Sequence, residues 1–162
     1  MRDFNKVSPT LWQSGRFVGL PSDDGRLLYL YLLTCPHQNK SGCFWLPAGY
    51  ACNDLRWDEV RYQAARQELV GAGLIQVDDD AGYVLIERWS KHNPPMNQSH
   101  LKGIVAELQK CGSAALQEVC AVALNEVWHE KFGGKPNGQV CKSSLPFMTP
   151  DTKPPRTPNL YR

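Results

Sequence analysis

The sequence predicts an α+β, mostly helical chain, and three observations carry that expectation. Two stretches with apolar residues at helical spacing flank a short turn; two β-forming runs joined by a glycine-containing turn follow at once; and a second pair of amphipathic stretches lies beyond them. With 162 residues, 42% of them hydrophobic, the chain has room for one ordinary domain plus an appendage.

Residues 2–20 mix aromatics with Gly, Pro and Ser, which predicts irregular structure pinned by Phe4, Leu11, Trp12 and Phe17. Ser22 caps a helix whose first turn carries Asp23 and Asp24, where the dipole favours carboxylates. That helix runs to about Cys35. Its leucines and tyrosines leave little polar face, so burial nearly all round is expected. After a loop at 36–42, Cys43-Phe44-Trp45-Leu46 reads as a strand, and Pro47 opens a short helix with Ala48, Ala51, Cys52 and Leu55 at helical spacing. Arg56-Trp57 makes the turn. Asp58 caps a second helix that places Tyr62, Ala65, Leu69 and Ala72 on one face, and Gly73 can end it in the left-handed conformation. Leu74–Val77 and Tyr83–Trp89, joined by Asp78-Asp79-Asp80-Ala81-Gly82, form a hairpin. Strand, helix, turn, helix and hairpin in that order define a winged helix-turn-helix, assigned to residues 1–93 with its N-terminal extension. The segment ELVGAGLIQV resembles the end of a winged-helix recognition helix, where a small residue and Gly let the helix close against the first wing strand.

Pro94-Pro95 ends any strand, and a helical hairpin over 94–132 follows. Leu101, Ile104, Val105 and Leu108 mark the buried face of its first helix. Ser113 caps the second, where Leu116, Val119, Cys120, Ala123 and Val127 form a stripe edged by Trp128 and Phe132. Each stripe must be covered by the other helix, by the winged helix or by a second copy. Residues 133–162 are Pro-rich, basic and poor in apolar groups, so they form a tail that by itself cannot offset its ordering entropy.

The charge is split along the chain. Residues 1–87 hold eight Lys and Arg against eleven Asp and Glu, a net −3, whereas residues 88–162 hold ten against five, a net +5. The half with the helix-turn-helix is therefore the acidic one, and the tail carries four net positives. Six cysteines without a C-x-x-C pair read as small hydrophobes in a reducing compartment. Cys35, His37 and Cys43 lie close together, but no second paired cluster completes a metal site, so neither metal nor cofactor is expected. No apolar run is long enough to span a membrane and the first residues lack a secretion signal, so a cytoplasmic protein is expected. Scattered histidines, with no phosphate loop and no nucleophile setting, argue against an enzyme.

The segments MRDFNKVSPTLW, YLLTCPHQNKSGCFWLP, RWSKHNPPMNQSHLKGIVAEL and KPPRTPNLYR together resemble the small replication, or replisome-organiser, proteins of phages and prophages. The resemblance covers most of the chain. It implies a winged helix that binds double-stranded origin DNA or a replication partner, and a C-terminal part that recruits the host replicative helicase or its loader. Two departures stand out: Arg56 occupies a position where such a turn usually has Gly, and the wing tip offers three carboxylates in place of Lys or Arg.

If the second helix enters a major groove, it presents Val60, Gln63, Ala64 and Gln67, flanked by Arg61. Gln can read adenine, Arg guanine, and Ala64 allows close approach. Arg56 and Arg61, with Lys91 and His92 just after the hairpin, are the phosphate candidates, and Trp57, in a turn, is a candidate backbone or partner contact. Against this, Arg61 and Gln63 are equally well read as solvated residues of a surface helix. Arg66 is expected to pair with Glu59 or Asp58, and Trp45 and Trp89 to serve as strand core. Two other classes of function remain: an interaction module whose winged helix binds protein, such as a helicase-loader adaptor or host-factor antagonist, and a transcription regulator that forms a homodimer through residues 98–132.

Overall fold

The computed structural model describes residues 5–133, so Phe4 and the tail from residue 134 on lie outside the described residues. After a 3-10 turn at Pro9–Gln13, the helices are α1 (Gly15–Val18), α2 (Asp23–Thr34), α3 (Ala48–Leu55), α4 (Glu59–Gly71), α5 (Trp89–His92), α6 (Gln98–Leu108) and α7 (Ala114–Phe132). The strands are β1 (Cys43–Trp45), β2 (Ile75–Asp78) and β3 (Tyr83–Ile86), all antiparallel in the order β1-β3-β2. The chain is therefore α+β and mostly helical, and the last strand in sequence occupies the middle of the sheet.

The register places Phe44 opposite Val84, Val77 opposite Val84 and Ile75 opposite Ile86. Because strand side chains alternate, these residues share one face. That face joins Phe17, Leu28, Leu32, Tyr62, Ala65 and Leu69 in the larger core. Each valine, leucine, isoleucine or phenylalanine among them, fully withdrawn from water, contributes about 1.5–3 kcal/mol of transfer free energy.

The opposite face carries Cys43 and Leu85, with Tyr83 half-buried beside them. It meets Leu108, Cys111, Leu116 and Cys120 from α6, α7 and their joint. Leu101, Ile104 and Val105 then close on Leu124 and Trp128, which holds the two helices together. The hairpin thus buries its stripes against itself and against the sheet, which lies between two helical layers. At the joint, Tyr83 Oη donates to the Lys110 carbonyl at 3.2 Å, and the Cys43 and Cys111 sulfurs lie 3.5 Å apart. The Cys111 thiol draws the Cys43 pKa down, but Cys120 and burial outweigh it and push Cys43 up to about 12, so this thiol stays protonated at neutral pH.

Several expectations need correction. α2 is not buried all round: Leu27 is 46% exposed and Leu30, Tyr31 and Leu33 are half-buried, because α2 packs mainly on α4. In the N-terminal segment Phe17 is fully buried, whereas Trp12 stands 61% exposed with its ring set edge-on to Phe17. On α7 Val119 is exposed and Leu124 is buried, since Leu116, Cys120, Leu124 and Trp128 recur at four-residue spacing and follow the face turned to the sheet and α6.

β3 stops at Ile86 instead of reaching Trp89. Arg88 takes a left-handed backbone (φ 58°) and Trp89–His92 forms a helical turn. The cause is Trp89, whose indole is buried and donates to the Lys40 carbonyl at 2.9 Å. Its ring lies where a Cβ on Gly42 would stand, and Gly42 has φ 74°. No described helix is long and apolar enough to cross a membrane.

Candidate nucleic-acid interface

α3 ends where Arg56 turns left-handed (φ 57°, ψ 39°), and the Trp57 N–H returns to the Cys52 carbonyl at 3.0 Å. The turn is therefore made without glycine, a conformation that costs an L-residue about 1–2 kcal/mol. Asp58 caps α4 by accepting from the Arg61 N–H at 2.8 Å. Tyr62, Ala65 and Leu69 face the core as their spacing predicts.

The end of α4 is a Schellman closure. The Leu74 N–H reaches the Leu69 carbonyl and the Gly73 N–H the Val70 carbonyl, both at 3.0 Å, with Gly73 at φ 62°. Leu69 and Leu74 are both buried, so the apolar contact that accompanies this motif is also present.

Four polar locks set the rotation of α4. Glu68 accepts from the Ser22 hydroxyl at 2.8 Å and the Ser22 N–H at 3.3 Å. Gly25 makes room for it, since a Cβ there would lie 2.5 Å from Glu68 Oε2. Arg61 clasps Asp24 through two hydrogen bonds of 2.7 and 2.6 Å and lies 4.4 Å above the Trp57 ring. Hydrogen bonding from Arg61 holds the Asp24 carboxyl below its ordinary range, and the same bonds push the Arg61 guanidinium up. Arg66 bonds to Asp79 of the hairpin turn, and Arg16 donates to the Gly73 carbonyl at 2.5 Å.

These locks reassign several residues. Trp57 is 8% exposed, belongs to the core and has a ring face covered by Arg61, so packing explains it and it offers no free contact. Arg61 is exposed, but its guanidinium is already engaged by a carboxylate. Arg66 pairs with Asp79 and not with Glu59 or Asp58, because the hairpin turn folds back beside α4. That pairing also gives one carboxylate of the β2–β3 turn a structural role. Asp78 has another: it accepts from the Ala81 N–H at 3.0 Å, and the Ser113 hydroxyl beside it holds its pKa below the usual carboxylate range.

Besides Glu59 and Arg61 in its first turn and Val70 and Gly71 at its end, α4 leaves to solvent a strip of Val60, Ala64 and Gln67, with Gln63 half-buried at its side. Val60 is 80% exposed, an unusual setting for a β-branched aliphatic on a packed helix. Arg56 is exposed in the turn between α3 and α4. Lys91 and His92 are exposed on α5, which packs against α7, while α4 packs against α2, α3 and β2. The sequence brings the α4 strip together; it does not bring Lys91 and His92 to it.

Sequence reasoning missed Asp24, whose place in a first helical turn explains it equally well without a partner. It also assigned Trp45 to strand core, whereas this residue is 47% exposed on the outer face of β1. Comparison with family models, with curated proteins and with solved structures gave no match, which leaves function to the chemistry of the residues.

Proposed function

We propose that residues 1–93 carry a winged helix with an N-terminal extension and that the chain is a phage-type replication protein whose α4 contacts double-stranded DNA. The observation that carries this reading is the solvent-facing strip Val60, Ala64 and Gln67 on a helix whose opposite face is fully buried, with a β-hairpin beside it. Such a strip suits a major groove: Gln67 can bond adenine, and Ala64 and Val60 can touch thymine methyls. Helix α7 and the tail would recruit a replication partner, the replicative helicase or its loader.

A titration of labelled duplex at two salt concentrations tests the reading. Gln67→Ala combined with Gln63→Ala should weaken specific binding by about 1–3 kcal/mol per lost base contact and leave the salt slope unchanged. No duplex binding at low salt, or binding indifferent to both substitutions, would refute it.

A second reading, a protein-docking module, has its own support. Arg61 is neutralised by Asp24, and Asp58, Glu59, Asp79 and Asp80 are all exposed near α4 or at the hairpin turn, a sign of charge that repels phosphate. It makes the opposite forecast, with no salt-dependent duplex binding and capture of a protein that survives nuclease.

A further inference from the structure

Three aromatic rings stand together on the surface beside the wing. Trp45, at the end of β1, and Tyr50, in the first turn of α3, are each 47% exposed, and their ring centroids lie 5.6 Å apart at 61°. His37, in the loop before β1, also meets Tyr50, at 5.1 Å and 65°. Rings that meet edge to face at these separations are in contact, so together they form one continuous exposed aromatic surface. Among the described residues, neither the Trp45 indole N–H nor the Tyr50 hydroxyl has a hydrogen-bond partner. The wing turn lies against the Trp45 end of the ridge, since a Cβ on Gly82 would stand 3.2 Å from Trp45 Nε1. Carboxylates flank both ends: Asp80 is exposed in that turn, and Asp54 is exposed one helical turn beyond Tyr50, where it also accepts from Tyr31 Oη at 2.7 Å.

An exposed aromatic surface with an unused indole donor is the chemistry that recognises a polyproline II segment. Pyrrolidine rings pack on aromatic faces, the indole N–H takes a backbone carbonyl, and little ordering entropy is lost because proline has fixed φ in advance. This chain contains such a segment, Lys153-Pro154-Pro155-Arg156-Thr157-Pro158, with prolines at P-x-x-P spacing and two cations to meet the flanking carboxylates. Twenty residues separate Gly133 from Pro154. Extended, they span roughly 65 Å, well beyond the radius of gyration of about 14 Å expected for a unit of this size.

We propose that the ridge of Trp45, Tyr50 and His37 captures the chain's own Lys153–Pro158 segment. Folding back of the tail would place its positive charge beside the acidic wing and couple release of the tail to whatever next binds it.

The test uses the full-length chain and a full-length variant with Pro154, Pro155 and Pro158 all changed to Ser, which leaves the ridge unoccupied. The probe is a labelled peptide of residues 150–162. It should bind the serine variant, and bind the unmodified chain about tenfold or more weakly, because a tethered tail competes at an effective concentration near the millimolar range. Trp45→Ala or Tyr50→Ala in the serine variant should weaken the peptide by about tenfold or more at unchanged circular dichroism, as loss of an aromatic anchor does. In heteronuclear spectra of the two full-length proteins, the Trp45 indole N–H signal should differ. Equal peptide affinity for the Trp45→Ala protein, no peptide binding to the serine variant, or a Trp45 signal indifferent to the three prolines would each overturn the proposal. A signal that moves with protein concentration would assign the tail to another copy and overturn capture within one chain.

Discussion

The inner helical layer, α2 to α4, is held by large side chains and ionic hydrogen bonds between side chains, whereas the outer layer, α6 and α7, is held by thiols, aliphatics and hydrogen bonds to backbone carbonyls. Phe17, Phe44 and Tyr62 fill the inner side, and Arg61–Asp24, Arg66–Asp79 and Glu68–Ser22 fix the direction in which α4 faces. The outer side relies on Cys43, Cys111 and Cys120 among leucines, with Tyr83 to Lys110, Gln117 to Leu108 and Lys131 to Pro95 as bonds to backbone carbonyls. Apolar burial is non-directional, so it secures a layer without setting its rotation, while hydrogen bonds to charged groups do set it. The layer that presents the candidate strip is the one whose orientation is fixed by ion pairs between elements.

Removing one fully buried leucine from each side gives the largest expected effects. Leu69→Ala should cost about 3–5 kcal/mol and Leu108→Ala about 2–4 kcal/mol in urea unfolding, since the sulfur-rich joint can relax around a void more readily than the aromatic core. The reverse order would break the comparison. Gly42→Ala comes next. Its Cβ would occupy the Trp89 ring position and its φ of 74° disfavours any side chain, so a loss of about 2–4 kcal/mol in the same assay is expected.

Arg56→Gly should act in the other direction. Relief of the left-handed strain at φ 57° should raise stability by about 1 kcal/mol, and a melting temperature that falls instead would show that the Arg56 side chain supplies a compensating contact.

The smallest effect is one of pH. Asp24 and Asp78 both have pKa values lowered below 3.8, so each favours the folded state above that value, and the contribution is lost as pH falls through the lower folded value. Asp24→Asn should remove the inner-layer share and Asp78→Asn the share at the joint, each flattening the acid limb of a stability-against-pH curve. If either variant keeps the full acid limb, the corresponding bond does not form in solution.

Periodicity and capping chemistry were enough to locate α2, α3, α4, α6, α7 and the hairpin in the sequence, because i to i+3 and i+4 apolar spacing, Ser and Asp caps and Gly73 are local signals whose physics acts within a few residues. The outward strip of α4 was legible for the same reason, being the complement of Tyr62, Ala65 and Leu69. Local signals could not show that Trp57 would be buried, that Arg61 would be claimed by Asp24, 37 residues away, or that Arg66 would reach Asp79. Nor could they show that Trp89 would end β3 in order to bury its indole beneath Gly42, or that Trp45 would be left beside Tyr50 and His37. By itself the sequence determined which elements form and which face of each is apolar, since both follow from backbone and side-chain preferences over one or two turns. Only the tertiary structure decided which charges remain available and which aromatics stay in solvent, because those outcomes depend on partners brought within bonding distance by packing, and packing is a property of the whole chain.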